Sequence, residues 1–309
     1  ATADGLAMAY RAGATLTDME FMQFHPTTLY VAGATRTLIT EAMRGEGAYL
    51  VDRKGHRFMK EYHEMAELAP RDIVSRVIYN HMAKTNATNV FLDVRHFGSA
   101  WLAERFPTIS ELCKSFDIDV NNDLIPVRPS AHYMIGGVKT DIQGRTAIAS
   151  LYCCGEASAT GLHGSNRLAS NSLLEGLVFG QICGENAAQE IARNSGKMEH
   201  SHLISDVPVS QRTRLDVVDV TNSLRAVMWR NVGIERQGDR LAETIEIIDF
   251  WRRYVMDKVF DTPDGWQCQN MLTACRWMAA SALQRQESRG VHYRADYPET
   301  DDVHFARHL

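Results

Sequence analysis

The segment from residue 152 to residue 176, YCCGEASATGLHGSNRLASNSLLEG, constrains the fold more than any other part of this 309-residue chain. Its pattern predicts a short buried strand ending at Gly155-Glu156, a loop punctuated by glycines, and a helix capped by one of the residues Ser170–Ser172. Such a connection presents backbone N–H groups at a helix N-terminus and therefore suits an anion. The acidic residue at the strand end can bind a polyol, and Arg167 in the loop can bind a carboxylate. We therefore expect a cofactor on one side of this segment and an acidic substrate on the other.

Composition narrows the class of protein. Hydrophobic residues make up 45% of the chain and charged residues 23%, which is typical of a soluble globular protein with two or three domains. The formal net charge of -5 argues against nucleic acid as a partner, and no apolar run is long enough to predict a membrane span. The six cysteines show neither CxxC nor zinc spacing, so we predict no metal site and a reducing, cytoplasmic compartment. We expect the adjacent Cys153 and Cys154 to be small buried hydrophobes of the predicted strand.

Three regions differ in their patterns. Residues 19–133 mix short elements, with a helix predicted from Pro70 to His81 and a strand from Val90 to Leu92. Residues 134–200 contain the segment described above and a helix that continues to Ile191. From about Asp206 the spacing of apolar residues predicts three amphipathic helices joined by short connections, with a break at residues 262–265, and hence a small bundle. The apolar positions are Leu224, Val227 and Met228, then Leu241, Ile245 and Ile248, then Met271, Leu272, Cys275, Met278 and Ala282.

Several separated polar residues share a chemical character. Taken singly, each has an ordinary explanation: a histidine beside a proline is usually structural, an arginine at a helix start often forms a surface ion pair, and Arg44 can simply pair with Glu46. Taken together, two arginines and two histidines can neutralise both ends of a small dicarboxylate, and a threonine hydroxyl can donate to the same carboxylate. The candidate residues are His25, Thr40, Glu41, Arg71, His132 and Arg167.

Seven motifs occur in a fixed order: QFHPT, LITEAMRGEG, ELAPRDIVSR, AHYMIGGV, LYCCGEAS, GLHGSNRLASNSLLEGLVFG and ESRGVHYRADYPE. In this order they resemble the motifs of the succinate dehydrogenase/fumarate reductase flavoprotein family, over a stretch from Ala1 to about Pro298. Three details resemble the oxidase branch of that family: Glu41-Ala42 before MRGEG, the TGL before His163, and the LAS after Arg167.

The resemblance implies an α/β fold with an α+β capping domain. It assigns residues 1–18 to the end of a first FAD-domain segment, 19–133 to the capping domain, 134–203 to the returning part of a Rossmann-like FAD domain, and 204–309 to a C-terminal three-helix bundle. The family's strand–GxGxxG–helix does not occur here, and the nearest match, Gly45–Ala48, lacks the third glycine. We therefore expect a C-terminal fragment that binds FAD poorly without its N-terminal FAD-binding segment.

The resemblance also implies roles for individual residues. Arginine has a pKa above about 12, so it needs an acidic relay to act as a base, and a purely electrostatic clamp is the alternative. The implied proton-transfer residue is Arg71, and the implied carboxylate ligands are His25, His132 and Arg167. Further residues of the same pocket are Thr40 and Glu41. The residues implied to hold the ribityl and ring portions of non-covalent FAD are Glu156, Ser172 and Leu173.

The implied reaction is the oxidation of L-aspartate to iminoaspartate, the first step of NAD biosynthesis, with hydride transfer to flavin N5 and reoxidation by O2 or fumarate. Two alternatives remain open at this point. One is a fumarate reductase or succinate dehydrogenase flavoprotein, which would need an iron–sulfur partner. The other is a dicarboxylate-binding module without enzymatic activity.

Overall fold

The computed structural model describes residues 2–32, 34, 37–193 and 215–309. The chain forms two compact units: Ala1–Met22 with Tyr133–Leu309, called here the discontinuous unit, and Gln23–His132, called here the inserted unit. The four-part division expected from the sequence stays a prediction. Its boundary between residues 203 and 204 lies outside the described residues, as does the expected start of the helical region near Asp206.

The described elements are mixed α and β. The strands are β1 (Leu16–Thr17), β2 (Met22–Leu29), β3 (Tyr49–Val51), β4 (Val90–Asp93), β5 (Ile125–Met134), β6 (Gly137–Lys139) and β7 (Ser158–Ala159). The helices are α1 (Asp4–Arg11), α2 (Glu41–Gly45), α3 (Arg71–Thr85), α4 (Ser99–Arg105), α5 (Pro107–Lys114), α6 (Asn171–Arg193), α7 (Val217–Asn231), α8 (Gly238–Val255), α9 (Pro263–Gln284) and α10 (Asp302–Phe305).

The inserted unit is built on a four-stranded sheet of order β2-β5-β4-β3, in which β4 pairs antiparallel with both β3 and β5. Along β4, buried Val90 and Leu92 alternate with half-buried neighbours, as expected for a strand with one face on a core. Helix α3 buries Val74 and Ile78 in the same core, at the spacing that brings side chains to one helix face. The predicted helix and strand of this region are therefore confirmed.

The discontinuous unit combines a small sheet with the C-terminal helices. Its sheet has the order β1-β6-β7, with an antiparallel β1–β6 pair and a parallel β6–β7 pair. Helices α7, α8 and α9 share a core that includes Leu224, Ile248 and Leu272. The break predicted at residues 262–265 is wrong in position, because Pro263 opens α9: proline fits the first turn of a helix, where its missing N–H costs nothing.

The segment from residue 152 to residue 176 differs from its prediction in one respect. Tyr152 makes only an isolated bridge to Arg145, and Gly155–Ala157 form a 3₁₀ turn, so the predicted strand ending at Gly155-Glu156 is wrong. The chain turns at Gly155, where φ is 71°, and the strand β7 follows that turn. Cys153 and Cys154 are accordingly half-buried in irregular chain rather than buried in a strand. The predicted helix is confirmed as α6.

The described residues contain no disulfide, no metal-ligand cluster and no helix suited to a membrane. All six cysteines are free. Within the described parts of the chain, no cluster of three or more histidine, cysteine, aspartate or glutamate side chains is arranged to hold a metal ion. Among the helices described here, none has the length and apolar character needed to cross a membrane.

Candidate functional site

The inserted unit places Arg71 at the first position of α3, where only 9% of the residue is exposed. Its Nε donates to Oε2 of Glu41 at 2.8 Å, and its Nη2 donates to the same oxygen. Its Nη1 donates to Oε1 of Gln23 at 3.3 Å. Charge-assisted bonds of this kind fix the plane of a guanidinium, so Glu41 sets the orientation of Arg71.

Glu41 is held in turn by the start of α2. Thr40 caps this helix by accepting a hydrogen bond from the Ala42 N–H at 3.3 Å, which places Glu41 in the first turn. One turn later, Nη2 of Arg44 lies 3.7 Å from Oε1 of Glu41. The Glu41 carboxylate therefore lies between two arginines, one on each oxygen.

Arg44 was not among the candidate site residues. It is 1% exposed, and its Nη1 donates to the Glu67 carbonyl at 2.6 Å. Burial lowers the pKa of Arg44 to about 10, so the side chain remains a cation at neutral pH. The alternative of an Arg44–Glu46 pair is wrong, because Glu46 pairs instead with Arg105 at 2.8 Å.

The histidine of QFHPT is completely buried on β2. Nδ1 of His25 accepts from the Thr27 N–H at 3.2 Å, which assigns the ring proton to Nε2. Among the described residues, Nε2 has no hydrogen-bond partner. Burial, together with the charges of Arg71 and Arg44, lowers the pKa of His25 to about 2. His25 is therefore a neutral donor, and the ring of half-buried His132 lies edge-on to it at a centroid distance of 5.3 Å.

The discontinuous unit contains Arg167, which is 9% exposed and lies in the loop before α6. Its Nη2 donates to the Ser172 hydroxyl at 2.5 Å, and its guanidinium carbon lies 4.3 Å from the centre of the Tyr133 ring. The Tyr133 hydroxyl donates to Oε2 of Glu175 at 3.3 Å. This arginine is thus supported by a hydroxyl at one end and an aromatic face beneath.

The three residues implied for FAD belong to the same unit, and all of them are exposed or half-buried. Glu156 is exposed, and its Oε1 accepts from the Met134 N–H at 3.0 Å, so its carboxylate can accept hydrogen bonds from ribityl hydroxyls. Leu173, in the first turn of α6, is 80% exposed and offers apolar surface to a ring. Ser172 lies beside it, bound to Arg167. These donor, acceptor and apolar groups fit the flavin portion of FAD.

The predicted site residues therefore fall into two groups. The inserted unit contains His25, Thr40, Glu41, Arg71 and His132, and the discontinuous unit contains Glu156, Arg167, Ser172 and Leu173. The structure adds Gln23, Arg44, Tyr133 and Glu175, none of which was predicted. Arg44 carried a signal, since it follows Glu41 by one helical turn, whereas the buried roles of Gln23 and Glu175 have no signature in a single sequence.

Comparison with known families identifies the family of this chain. Residues 1–173 match the model of an FAD binding domain, and residues 221–309 match the model of the fumarate reductase flavoprotein C-terminal region. The chain belongs to the succinate dehydrogenase/fumarate reductase flavoprotein family. The resemblance found in the sequence is thereby confirmed, and FAD is the cofactor that the first match assigns to this chain.

Individual members of this family are similar along nearly the whole chain. The L-aspartate oxidase of Streptomyces coelicolor is 40% identical over 100% of the chain and 55% of its own length, and that of Acinetobacter baylyi is 42% identical over 97% of the chain and 56% of its own length. Among solved structures, E. coli quinol fumarate reductase is 33% identical with a TM-score of 0.88, covering 99% of this chain and 58% of its own. The chain thus spans just over half the length of these relatives.

Proposed function

We propose that this chain belongs to an FAD-dependent oxidase that converts L-aspartate to iminoaspartate. The observation that carries the proposal lies in the inserted unit, where two buried arginines hold one carboxylate and, together with burial, lower the pKa of a neutral histidine. One carboxylate between two buried cations leaves positive charge available for an anionic substrate. The naming of curated relatives as L-aspartate oxidase supports the choice of substrate.

The residues of each group would bind a carboxylate. In the inserted unit, His25 donates through Nε2–H without carrying a charge of its own, and His132 and Arg71 complete the carboxylate site, with Thr40 and Glu41 lining it. In the discontinuous unit, Arg167 would bind a substrate carboxylate as a fork.

FAD, when bound to Glu156, Ser172 and Leu173, supplies the hydride acceptor for this oxidation. The contribution of Arg71 takes one of two forms. If it transfers a proton, Glu41 is the acidic relay, because Glu41 accepts two N–H bonds from Arg71 on one oxygen and faces Arg44 with the other. If the substrate amine is already deprotonated, Arg71 serves as an electrostatic clamp.

The finer architecture is part of the same proposal. Residues 134–203 would be the returning part of a Rossmann-like FAD domain, residues 204–309 a three-helix bundle, and a segment with GxGxxG would complete a non-covalent FAD site. The reduced flavin would be reoxidised by O2 or fumarate, and the reaction would open NAD biosynthesis. The free cysteines support a cytoplasmic location.

A second candidate is a fumarate reductase or succinate dehydrogenase flavoprotein. The observation that favours it is the similarity to solved structures named quinol fumarate reductase, one of which has a TM-score of 0.88. Such a protein would act on dicarboxylates without an amino group and would use an iron–sulfur partner.

Anaerobic flavin bleaching by the full-length protein distinguishes the candidates. Bleaching by L-aspartate but not by succinate is the expected result, whereas bleaching by succinate alone would assign the second candidate. If flavin-loaded protein reacts with neither, the redox proposal is wrong. In the active protein, Arg71→Leu should abolish bleaching even at saturating aspartate, while Arg167→Leu should chiefly raise the aspartate concentration required.

A further inference from the structure

We propose that Glu175 is a positioning residue for Arg167 and acts on it through the ring of Tyr133. This inference rests on the proposed function, in which Arg167 binds a substrate carboxylate. Among the described residues, the Glu175 carboxylate bonds Thr160, His163 and Tyr133, none of which we assign to substrate or flavin.

Glu175 lies in the second turn of α6, with only 1% of its side chain exposed. Its Oε1 accepts from the Thr160 hydroxyl, and its Oε2 lies 2.9 Å from Nε2 of His163 and 3.3 Å from the Tyr133 hydroxyl. A buried carboxylate is stable only with donors on both oxygens, and these three side chains supply them. The carboxylate is consequently a fixed acceptor from which other groups can be oriented.

Tyr133 is the group that connects this acceptor to the arginine. Burial and the negative charge of Glu175 raise the pKa of Tyr133, so the hydroxyl keeps its proton and donates it to the carboxylate. The ring also meets His163 edge-on, at a centroid distance of 5.3 Å. The hydrogen bond to Glu175 and the contact with His163 together fix the plane of the Tyr133 ring.

The free face of that ring supports Arg167. The guanidinium carbon lies 4.3 Å from the ring centre, within the range of a cation–π contact, and Ser172 holds one end of the fork at 2.5 Å. An arginine side chain loses rotamer entropy when it is fixed, so a preoriented fork binds a carboxylate more tightly than a mobile one. Tilting of the Tyr133 ring would remove this preorientation.

The backbone of the loop is held by different contacts. The Val291 N–H donates to the Ser165 carbonyl at 3.0 Å, two residues before Arg167. Gly290 makes this approach feasible, because a Cβ there would come within 2.2 Å of that carbonyl oxygen. A change at Tyr133 or Glu175 should therefore alter the orientation of the Arg167 side chain while the loop stays anchored.

The test compares Tyr133→Phe, Glu175→Leu and the double variant in the full-length flavoprotein. Malonate is the probe, since it is a dicarboxylate that has no adjacent carbon pair to dehydrogenate, and its Kd is read from perturbation of the flavin spectrum. Each single variant should bind malonate about five- to tenfold more weakly, which is the range of one ordinary hydrogen bond. The double variant should be no weaker than the weaker single variant, because both changes release the same ring.

The matched control is Tyr152→Phe, which also removes a tyrosine hydroxyl bonded to a glutamate, here Glu190 at 2.6 Å, and should leave malonate binding unchanged. In the positioning variants, the KM for aspartate should rise with little change in kcat. The inference is overturned if Tyr133→Phe binds malonate within twofold of wild type, or if the two effects multiply. Malonate binding without any bleaching by aspartate would remove the proposed function alone, and wild-type protein that binds no dicarboxylate would remove both.

Discussion

Replacing Arg285 by methionine removes the cation of a buried ion pair in the discontinuous unit. Arg285 is 1% exposed, and its Nε donates to Oε1 of fully buried Glu20 at 2.5 Å. Its Nη1 also bonds Glu287 at 3.0 Å, but Glu287 keeps a second partner in Arg289 at 2.8 Å. The change therefore removes the salt-bridge partner of Glu20, whereas Glu287 keeps one.

The magnitude follows from that burial. Removing one partner of a buried ion pair leaves an uncompensated charge and costs about 3–5 kcal/mol of unfolding free energy. Methionine fills much of the volume of the arginine, so little of this loss comes from a cavity. The Glu20→Gln, Arg285→Met double variant removes both charges, so it should lose less stability than the sum of the two single variants.

The loss should also depend on pH. Burial raises the pKa of Glu20 above its ordinary value even though the charge of Arg285 lowers it, and without Arg285 that pKa rises further. A carboxyl group whose pKa is raised in the folded state favours folding below its unfolded pKa of about 4.3, and this benefit disappears as the pH rises through the folded pKa. The deficit of Arg285→Met should therefore be largest at pH 8 and shrink toward pH 5.

Urea unfolding of the full-length wild type and of the three variants at pH 5, 6.5 and 8 measures both effects. A loss below about 1 kcal/mol for Arg285→Met at pH 8 would show that the pair contributes no more than an exposed salt bridge. A deficit that grows as the pH falls would refute the argument from Glu20.

Three further predictions concern the site and its support. Arg71→Lys keeps the charge but loses the fork, so aspartate-dependent flavin reduction should slow by at least about 100-fold in stopped-flow traces, and a change below tenfold would contradict this role. Because the pKa of folded His25 is about 2, only the unfolded chain protonates this ring between pH 6.5 and 5. The urea midpoint of the wild type should therefore fall as the pH decreases over that range, and that of His25→Gln should fall less. Gly290→Ala combines a φ of 54° with a Cβ 2.2 Å from the Ser165 carbonyl oxygen, so it should lower the unfolding free energy by about 2 kcal/mol or more. The control Gly55→Ala has a φ of 80° and no atom within 4 Å of the new Cβ, so it should lower the unfolding free energy by only about 1–2 kcal/mol.

Local patterns predicted much of the fold correctly. Helix α3 and strand β4 follow directly from the periodicity of their apolar residues, and the helical spacing of Leu224, Leu241 and Leu272 indicated α7, α8 and α9. The strand predicted to end at Gly155-Glu156 is wrong because a short apolar run is also compatible with irregular chain, unless a neighbouring strand pairs with it. Whether a partner strand is present depends on tertiary structure, which periodicity does not encode.

The candidate site was only partly predictable for a similar reason. Polar residues next to proline and glycine, such as His25 and Arg71, stand out in a sequence because those neighbours restrict the backbone. The sequence favours a local pair of Arg44 with Glu46, whereas in the structure the Arg44 side chain contacts Glu41 and the Glu67 carbonyl. Glu175 occupies an ordinary helical position, and only the folded chain shows that three donors meet its carboxylate.

The division of one unit between two stretches of sequence has a consequence for biosynthesis. Strand β1 must wait for β6, so the pair Leu16↔Val138 forms only after the 110 residues of Gln23–His132 have left the ribosome. Those residues are contiguous. The chain passes into and out of the inserted unit through β2 and β5, which are neighbours in one sheet. The inserted unit can therefore fold first. Its folding brings close together the two stretches of chain that form the discontinuous unit.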